Sequence, residues 1–198
     1  MMQQPPIAFF DFDGTITRHD TFITFGCHAL GKVRLWLCVA IASPWLVLWK
    51  LGAISNTQAK RKLFSLMFKG MPRQKFTDLG HSFATVVEKD LCPKTMRLIE
   101  MHQQQGHKVV IVSASIGTWI RPWAESRAID QVLSTEAEYN SNDLLTGRFS
   151  TLNCHGPEKV RRIQQAFPEV TEVDTYAYGD SVGDHEMFSF CKFATKIK

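Results

Sequence analysis

Between Gly31 and Thr77 this 198-residue chain has no Asp or Glu at all. Nine basic residues fall there: Lys32, Arg34, Lys50, Lys60, Arg61, Lys62, Lys69, Arg73 and Lys75. The net charge is only +4, so the rest of the chain is net acidic. Such separation fits either a solvated basic face or a module that meets something anionic. The five cysteines (Cys27, Cys38, Cys92, Cys154, Cys191) show no Cys-x-x-Cys spacing and are odd in number. This argues against a disulfide framework or a zinc site and fits reduced thiols in the cytoplasm. No basic start and no long apolar segment precede Asp11, so no secretory signal is expected. Neither internal repeats nor low-complexity linkers are visible. With 44% hydrophobic and 21% charged residues, the chain suits one core plus a small second module.

What is present is an alternation of apolar runs and helical stretches. IAFF (7–10) is continuously apolar, the pattern of a strand buried on both faces. HKVVIVSAS (107–115) repeats it after a helical stretch that Gly106 terminates. GTWIRPWAESRAI starts a helix, QVLSTEAEY reads as one further strand, and NDLLTGRFS as a hairpin or loop. GPEKVRRIQQAF is a helix with Pro157 and Glu158 in its first turn. DTYAYGDSVGD supplies another strand, and FATKIK a last one. The expected fold class is α/β, a doubly wound parallel sheet. From about Thr21 to Leu91 no strand is expected. Helical segments are read at 30–42, 44–52, 56–69 and 72–90, with breaks at Pro44, Asn56 and Pro72. The expected division is residues 1–20 and 92–198 as the core, and 21–91 as an all-helical insertion.

In open α/β sheets, ligands bind beyond the carboxyl ends of the strands. Here those ends carry Asp11 and Asp13, then Ser113, then Asp180 and Asp184. Four carboxylates converging on one rim repel unless a cation holds them, and hard oxygen ligands at this density suggest Mg²⁺. Asp11 and Asp13 point to opposite faces of a continuing strand, so the chain must turn after Phe12, and Gly14 permits that. His155 and His185 lie near these motifs, but neither Mg²⁺ nor this chemistry calls for imidazole.

The order Asp11-Phe12-Asp13-Gly14-Thr15, Ser113, Lys159, Gly179-Asp180-Ser181-Val182-Gly183-Asp184 resembles the haloacid dehalogenase superfamily of phosphohydrolases. The insertion directly after the first motif resembles its phosphoserine phosphatase-like branch, whose helical cap enters there. The resemblance implies roles. Asp11 would attack phosphorus and form an aspartyl-phosphate. Asp13 would protonate the leaving oxygen, then deprotonate the attacking water, and lend its backbone carbonyl to the metal. Asp180 would ligate Mg²⁺, and Asp184 would ligate it or orient a bound water and Lys159. Lys159 and Ser113 would contact phosphoryl oxygens, with Gly14, Thr15 and Ala114 framing the substrate. Asp20 sits where a cap carboxylate reads a substrate amine, and it serves equally as a helix N-cap. Arg61 is a candidate partner for a substrate carboxylate.

The segment from Leu35 to Trp49 has no charge and holds Trp36, Trp45 and Trp49. Three readings compete: cap packing, an interfacial element against anionic lipid, and a membrane span, for which fifteen residues are short. The expected partner is a phosphorylated small-molecule or lipid substrate. A peripheral contact with anionic membrane at its inner face, through residues 31–77, is a further expectation; nucleic acid is not expected. A phospholipid headgroup monoester such as phosphatidylglycerophosphate, a phosphoserine-like soluble metabolite, and an inactive lipid-binding scaffold are the three functions to separate.

Overall fold

A computed structural model describes residues 4–197. In chain order its strands are β1 (Ile7–Phe10), β2 (Lys108–Ile116), β3 (Gln131–Thr135), β4 (Ala137–Tyr139), β5 (Leu145–Phe149), β6 (Thr175–Gly179) and β7 (Phe193–Lys196). The helices are α1 (Thr21–Leu30), α2 (Lys32–Lys50), α3 (Asn56–Phe68), α4 (Arg73–Lys89), α5 (Pro93–Gln104), α6 (Gly117–Ser126), α7 (Pro157–Ala166) and α8 (His185–Phe190). The main sheet is parallel throughout, in the order β3-β2-β1-β6-β7. This is the doubly wound α/β sheet expected from the apolar runs.

Both faces of the sheet are covered, which is why β1 and β2 do not alternate in polarity. Ala8, Phe10, Val109 and Ile111 enter one apolar cluster; Ile7, Phe9, Val110 and Val112 enter the other. The chain leaves β1 for β2 and β3 on one flank, then returns to β6 and β7 on the other. Strand order therefore reverses at the β1/β6 boundary, the place where such sheets open a crevice.

Between β1 and β2 the described residues form helices α1 to α5, with isolated bridges at Thr17 and Pro72. The helices α1, α3 and α4 pack together and on the core through aromatics, whereas α2 buries only Leu35, Cys38 and Ala42. Phe25 stacks on Trp119 at 4.4 Å and meets Phe76 and Phe83 edge-on. Two segments differ from expectation. Thr21–Leu30 is a helix that periodicity did not reveal, because β-branched residues and Gly26 depress its intrinsic propensity. Its start is set by Asp20, whose carboxylate accepts from the Phe22 N–H at 2.7 Å. Gly31, at φ 75, then turns the chain into α2. Pro44 does not break α2, which runs 19 residues through it. The carbonyl of Ala40 that loses its partner lies on an exposed residue, where water can replace it.

QVLSTEAEY is two strands. The Glu136 N–H donates to Thr151 Oγ1, leaving the main ladder, so β3 belongs to the main sheet and β4 pairs antiparallel with β5. That hairpin is tied to the helices by Gly70 N–H to Leu145 O and Leu145 N–H to Met71 O.

Candidate active site

The site lies at the carboxyl ends of β1, β2 and β6, facing a cavity of about 530 Å³. Asp11 follows β1 directly, and its N–H donates to Tyr178 O at 2.8 Å, which continues the β1/β6 ladder to the last possible residue. The chain then winds through Phe12–Ile16, with Gly14 at φ 75. This turn brings Asp13 to the cavity beside Asp11 rather than across the sheet from it. A Cβ on Gly14 would stand 2.5 Å from Asp180 Oδ2, so glycine is required both by conformation and by the carboxylate lying against it.

Lys159 is the hub. Its Nζ donates to Asp11 Oδ1 and to Asp184 Oδ1, both at 2.6 Å, and it is only 2% exposed. Asp184 is fully buried, and its other oxygen accepts from the Ser181 hydroxyl at 2.9 Å and the Ser181 N–H at 3.0 Å. Burial pushes the Asp11 carboxyl up to about 7 against the pull of Lys159, with Asp184 and Asp13 adding to the rise. Asp184 lies below the usual carboxylate range because the Lys159 ammonium and the Ser181 donors outweigh its desolvation. Burial tends to lower Lys159, but Asp11 and Asp184 together win and raise it. The lysine is therefore a fixed cation between two carboxylates.

Asp13 is oriented from two sides. Thr21 supplies its N–H at 2.7 Å and its hydroxyl at 2.6 Å to Oδ1, and the Ser115 hydroxyl donates to Oδ2 at 2.5 Å. Thr21 opens α1, so a helix that follows β1 positions the carboxylate at the end of that strand. A residue of α3 also enters the cavity. Lys60 Nζ donates to Ala114 O at 2.9 Å and stands 5.1 Å from the centre of the Phe22 ring. Burial lowers Lys60, and Asp13, Asp20 and Asp11 draw it back.

Asp11, Asp180 and Asp184 each offer one carboxylate oxygen, and these oxygens lie within 4.8 Å of one another. An octahedral Mg²⁺ with bonds of about 2.1 Å spaces its ligands about 3 to 4 Å apart, so this hard-oxygen set fits the ion. The carboxylate of Asp13 is outside the cluster, engaged by Thr21 and Ser115; only its backbone carbonyl is left for the metal role expected of it.

A family profile described as haloacid dehalogenase-like hydrolase matches residues 8–189. The chain belongs to the haloacid dehalogenase-like hydrolases. Among curated proteins it is 28% identical to Protein CicA of Caulobacter vibrioides over 193 residues, covering 96% of this chain and 84% of the relative. Its fold is similar to a solved Bordetella pertussis protein of unknown function, with a TM-score of 0.82, 18% identity and coverage of 98% and 90% of the two chains. It is also similar to a probable phosphoserine phosphatase from Vibrio cholerae, with a TM-score of 0.69, 19% identity and coverage of 97% of this chain and 55% of that one.

Within this hydrolase fold the motif residues do not all reach the cavity. Asp11, Asp13, Gly14, Asp20, Ala114, Lys159 and Asp180 line it. Ser113 and Thr15 are fully buried behind it. The Ser113 Oγ accepts from the Ser115 N–H at 3.0 Å. The Thr15 hydroxyl has no partner among the described residues, and its carbonyl accepts from Thr95 Oγ1. Asp20 both caps α1 and lines the cavity; crowding of protein around its carboxyl, then Asp13, push it above its usual range although the residue stays exposed. Arg61, the expected basic partner, lines a different pocket with Lys62 and Arg148, and its neighbour Lys60 takes the place in the cavity. Sequence reasoning missed Lys60, Thr21 and Ser115. The helical step of α3 separates Lys60 from Arg61 by about 100°, and only the docking of α3 decides which faces inward.

Proposed function

We propose that this chain hydrolyses phosphate monoesters through a covalent phosphoryl intermediate on Asp11. The observation that carries this reading is the pairing of buried Lys159 with both Asp11 and Asp184, at 2.6 Å each, beside a third carboxylate, Asp180, that lines the cavity. A buried ammonium between carboxylates is costly as mere structure, but it is what a carboxylate nucleophile needs to meet an anionic ester.

An oxygen of Asp11 attacks phosphorus, the P–O bond to the alcohol breaks, and Asp13 gives its proton to the departing oxygen. Asp13, held by Thr21 and Ser115, then takes a proton from water as that water attacks the aspartyl-phosphate; inorganic phosphate leaves and Asp11 is regenerated. Lys159 holds Asp11 in place throughout and offsets the charge of the phosphoryl oxygens. Asp11, Asp180 and Asp184 would hold Mg²⁺ through their carboxylates, which supplies further neutralisation of the phosphoryl charge when bound.

The cavity wall favours an amphiphilic leaving group. Phe22, Ile23, Leu46, Trp49 and Leu63 form an apolar side, with Lys60 near the carboxylates. A phospholipid headgroup monoester matches that division. The second reading, a small phosphorylated metabolite, is favoured by Asp20 and Lys60, whose opposite charges both line the cavity and would suit a zwitterion.

The test is p-nitrophenyl phosphate turnover with Mg²⁺ and with chelator, in wild type and Asp11→Asn. The expected result is Mg²⁺-dependent turnover that falls at least about 1,000-fold in the variant, as for loss of a covalent nucleophile. No metal-dependent turnover overturns the reading in favour of an inactive scaffold, and equal turnover by Asp11→Asn overturns the covalent intermediate on Asp11. A panel of phosphorylated lipids, amino acids and sugars then separates the two substrate classes.

A further inference from the structure

Of the fourteen large apolar side chains exposed among the described residues, nine fall between Val33 and Leu51. Trp36 is 61% exposed, Leu37 59%, Ile41 58% and Leu51 75%. Of the five others, Ile23 lines the catalytic cavity beside Leu46 and Trp49 of α2, and Met101, Leu152, Val182 and Phe193 are spread through the rest of the sequence. Only Leu35, Cys38 and Ala42 bury fully against the neighbouring helices, a stripe too narrow to account for so apolar a helix. The second half of α2 stands nearly clear of the protein. A contiguous apolar surface of this kind marks an interaction site rather than a solvated face.

Beside it lies a basic pocket. Arg61, Lys62, Lys69 and Arg148 line it together with Trp45 of α2, Gln58 and Ser65, and no acidic residue does. The Lys62 ammonium sits 4.3 Å from the centre of the Trp45 ring, which joins the apolar face to the pocket. Arg148 arrives from β5, far in sequence from the others, so the pocket is assembled by the fold and not by one charged run. Neither the mechanism nor the catalytic cavity uses any of these groups.

We infer that α2 and this pocket form a docking surface for an anionic phospholipid bilayer, with α2 lying in the interface and the pocket taking an anionic lipid headgroup. Charge complementarity selects the occupant: tryptophans at headgroup level, a cationic pocket beside them, and no Asp or Glu from residue 31 to residue 77. Length and composition alone would let α2 cross a membrane. Its buried stripe says otherwise, because Leu35, Cys38 and Ala42 are committed to protein and Cys38 Sγ reaches Leu66 O. A helix held along one side lies on a bilayer and does not span it. Leu46 and Trp49 of the same helix also line the catalytic cavity, so a docked molecule carries its cavity at the membrane surface. That last consequence rests on the proposed phosphatase reading; the docking does not.

The experiment is cosedimentation of the full chain with phosphatidylcholine vesicles, with and without phosphatidylglycerol. Wild type and Asp11→Asn are both expected to pellet with the anionic vesicles equally well, and less so at high salt. Lys62→Glu and Arg148→Glu are each expected to weaken binding at least about fivefold, the effect of one basic residue near a charged surface. Ile41→Glu, with its thermal melt showing an intact fold, is expected to abolish it. Binding that is absent, independent of phosphatidylglycerol, or untouched by these three substitutions overturns the inference. So does a stable dimer in vesicle-free solution that Ile41→Glu dissociates, since a second copy of the chain would then cover the face. A chain that binds vesicles but turns over no phosphate ester separates failure of the catalytic reading from failure of this one.

Discussion

Gly14 shows how one residue can carry several constraints at once. The backbone at φ 75 turns Asp13 into the cavity, and the missing side chain leaves room for the Asp180 carboxylate. An added methyl group would meet Asp180 Oδ2 at 2.5 Å and could not be relieved without moving a proposed metal ligand. The left-handed conformation itself costs a non-glycine residue about 1 to 2 kcal/mol. Gly14→Ala is therefore expected to fold with a lowered melting temperature and to lose at least about 100-fold in turnover, the scale of an ångström-level misplacement in a site. The metal dependence should shift with it: half-saturation by Mg²⁺ should need a higher concentration than in wild type. Unchanged Mg²⁺ affinity, measured by titrating turnover, would show that Asp180 is not the group displaced. The same residue illustrates what local reasoning reaches. A glycine after two aspartates implies a turn, whereas the carboxylate pressed against it arrives from Gly179 onward and is visible only in three dimensions.

At the scale of elements, strand ends were readable and helix faces were not. IAFF, VVIV and TYAYG are buried on both sides of a parallel sheet, so their identity follows from composition alone, and with them the positions of Asp11 and Asp180. Helix α1 was hidden because packing of Phe22 and Phe25 on Trp119, not propensity, stabilises it. Pro44 misled because an exposed helix tolerates the missing hydrogen bond. Lys60 was passed over for Arg61 because one helical step decides which of them enters the cavity. The contact between α4 and α6 is the clearest case of a fit that no pattern announces. A Cβ on Gly80 would lie 2.3 Å from the Thr118 backbone oxygen, so the two helices touch backbone to backbone. Gly80→Ala gains helix propensity of about 1 kcal/mol but must push α6 outward, and overpacking of this kind costs about 1 to 3 kcal/mol. Net destabilisation is expected in urea melts, with turnover lowered because Trp119, next to Thr118, donates to Thr21 Oγ1, which in turn holds Asp13. A stabilised Gly80→Ala would mean that α4 and α6 separate freely.

For the whole molecule, the buried charges make stability depend on pH and metal together. Asp11 is raised from the usual 3.8 to about 7, so the folded chain holds its proton more tightly than the unfolded chain does. Its contribution is complete below about pH 4 and is lost as pH climbs to about 7. Asp184 is shifted the other way, so its contribution is present above the ordinary carboxylate range and lost only in stronger acid. His102 opposes Asp11 across the same window. It is buried between Tyr178 and His107 and pushed down to about 4, so folding loses stability as pH falls from about 6.5 towards 4. The difference between wild type and Asp11→Asn cancels His102 and isolates Asp11. Metal-free wild type should therefore lose stability relative to Asp11→Asn between pH 5 and 7.5, by something on the order of a few kcal/mol. Mg²⁺ competes with protons for the same carboxylates, so saturating Mg²⁺ should raise the wild-type melting temperature more at pH 7.5 than at pH 5. In Asp11→Asn that pH dependence of the metal effect should largely disappear. Equal Mg²⁺ shifts at both pH values in wild type would mean that the ion, if it binds, leaves the Asp11 carboxylate alone, and that the acidic corner is held by Lys159 without it.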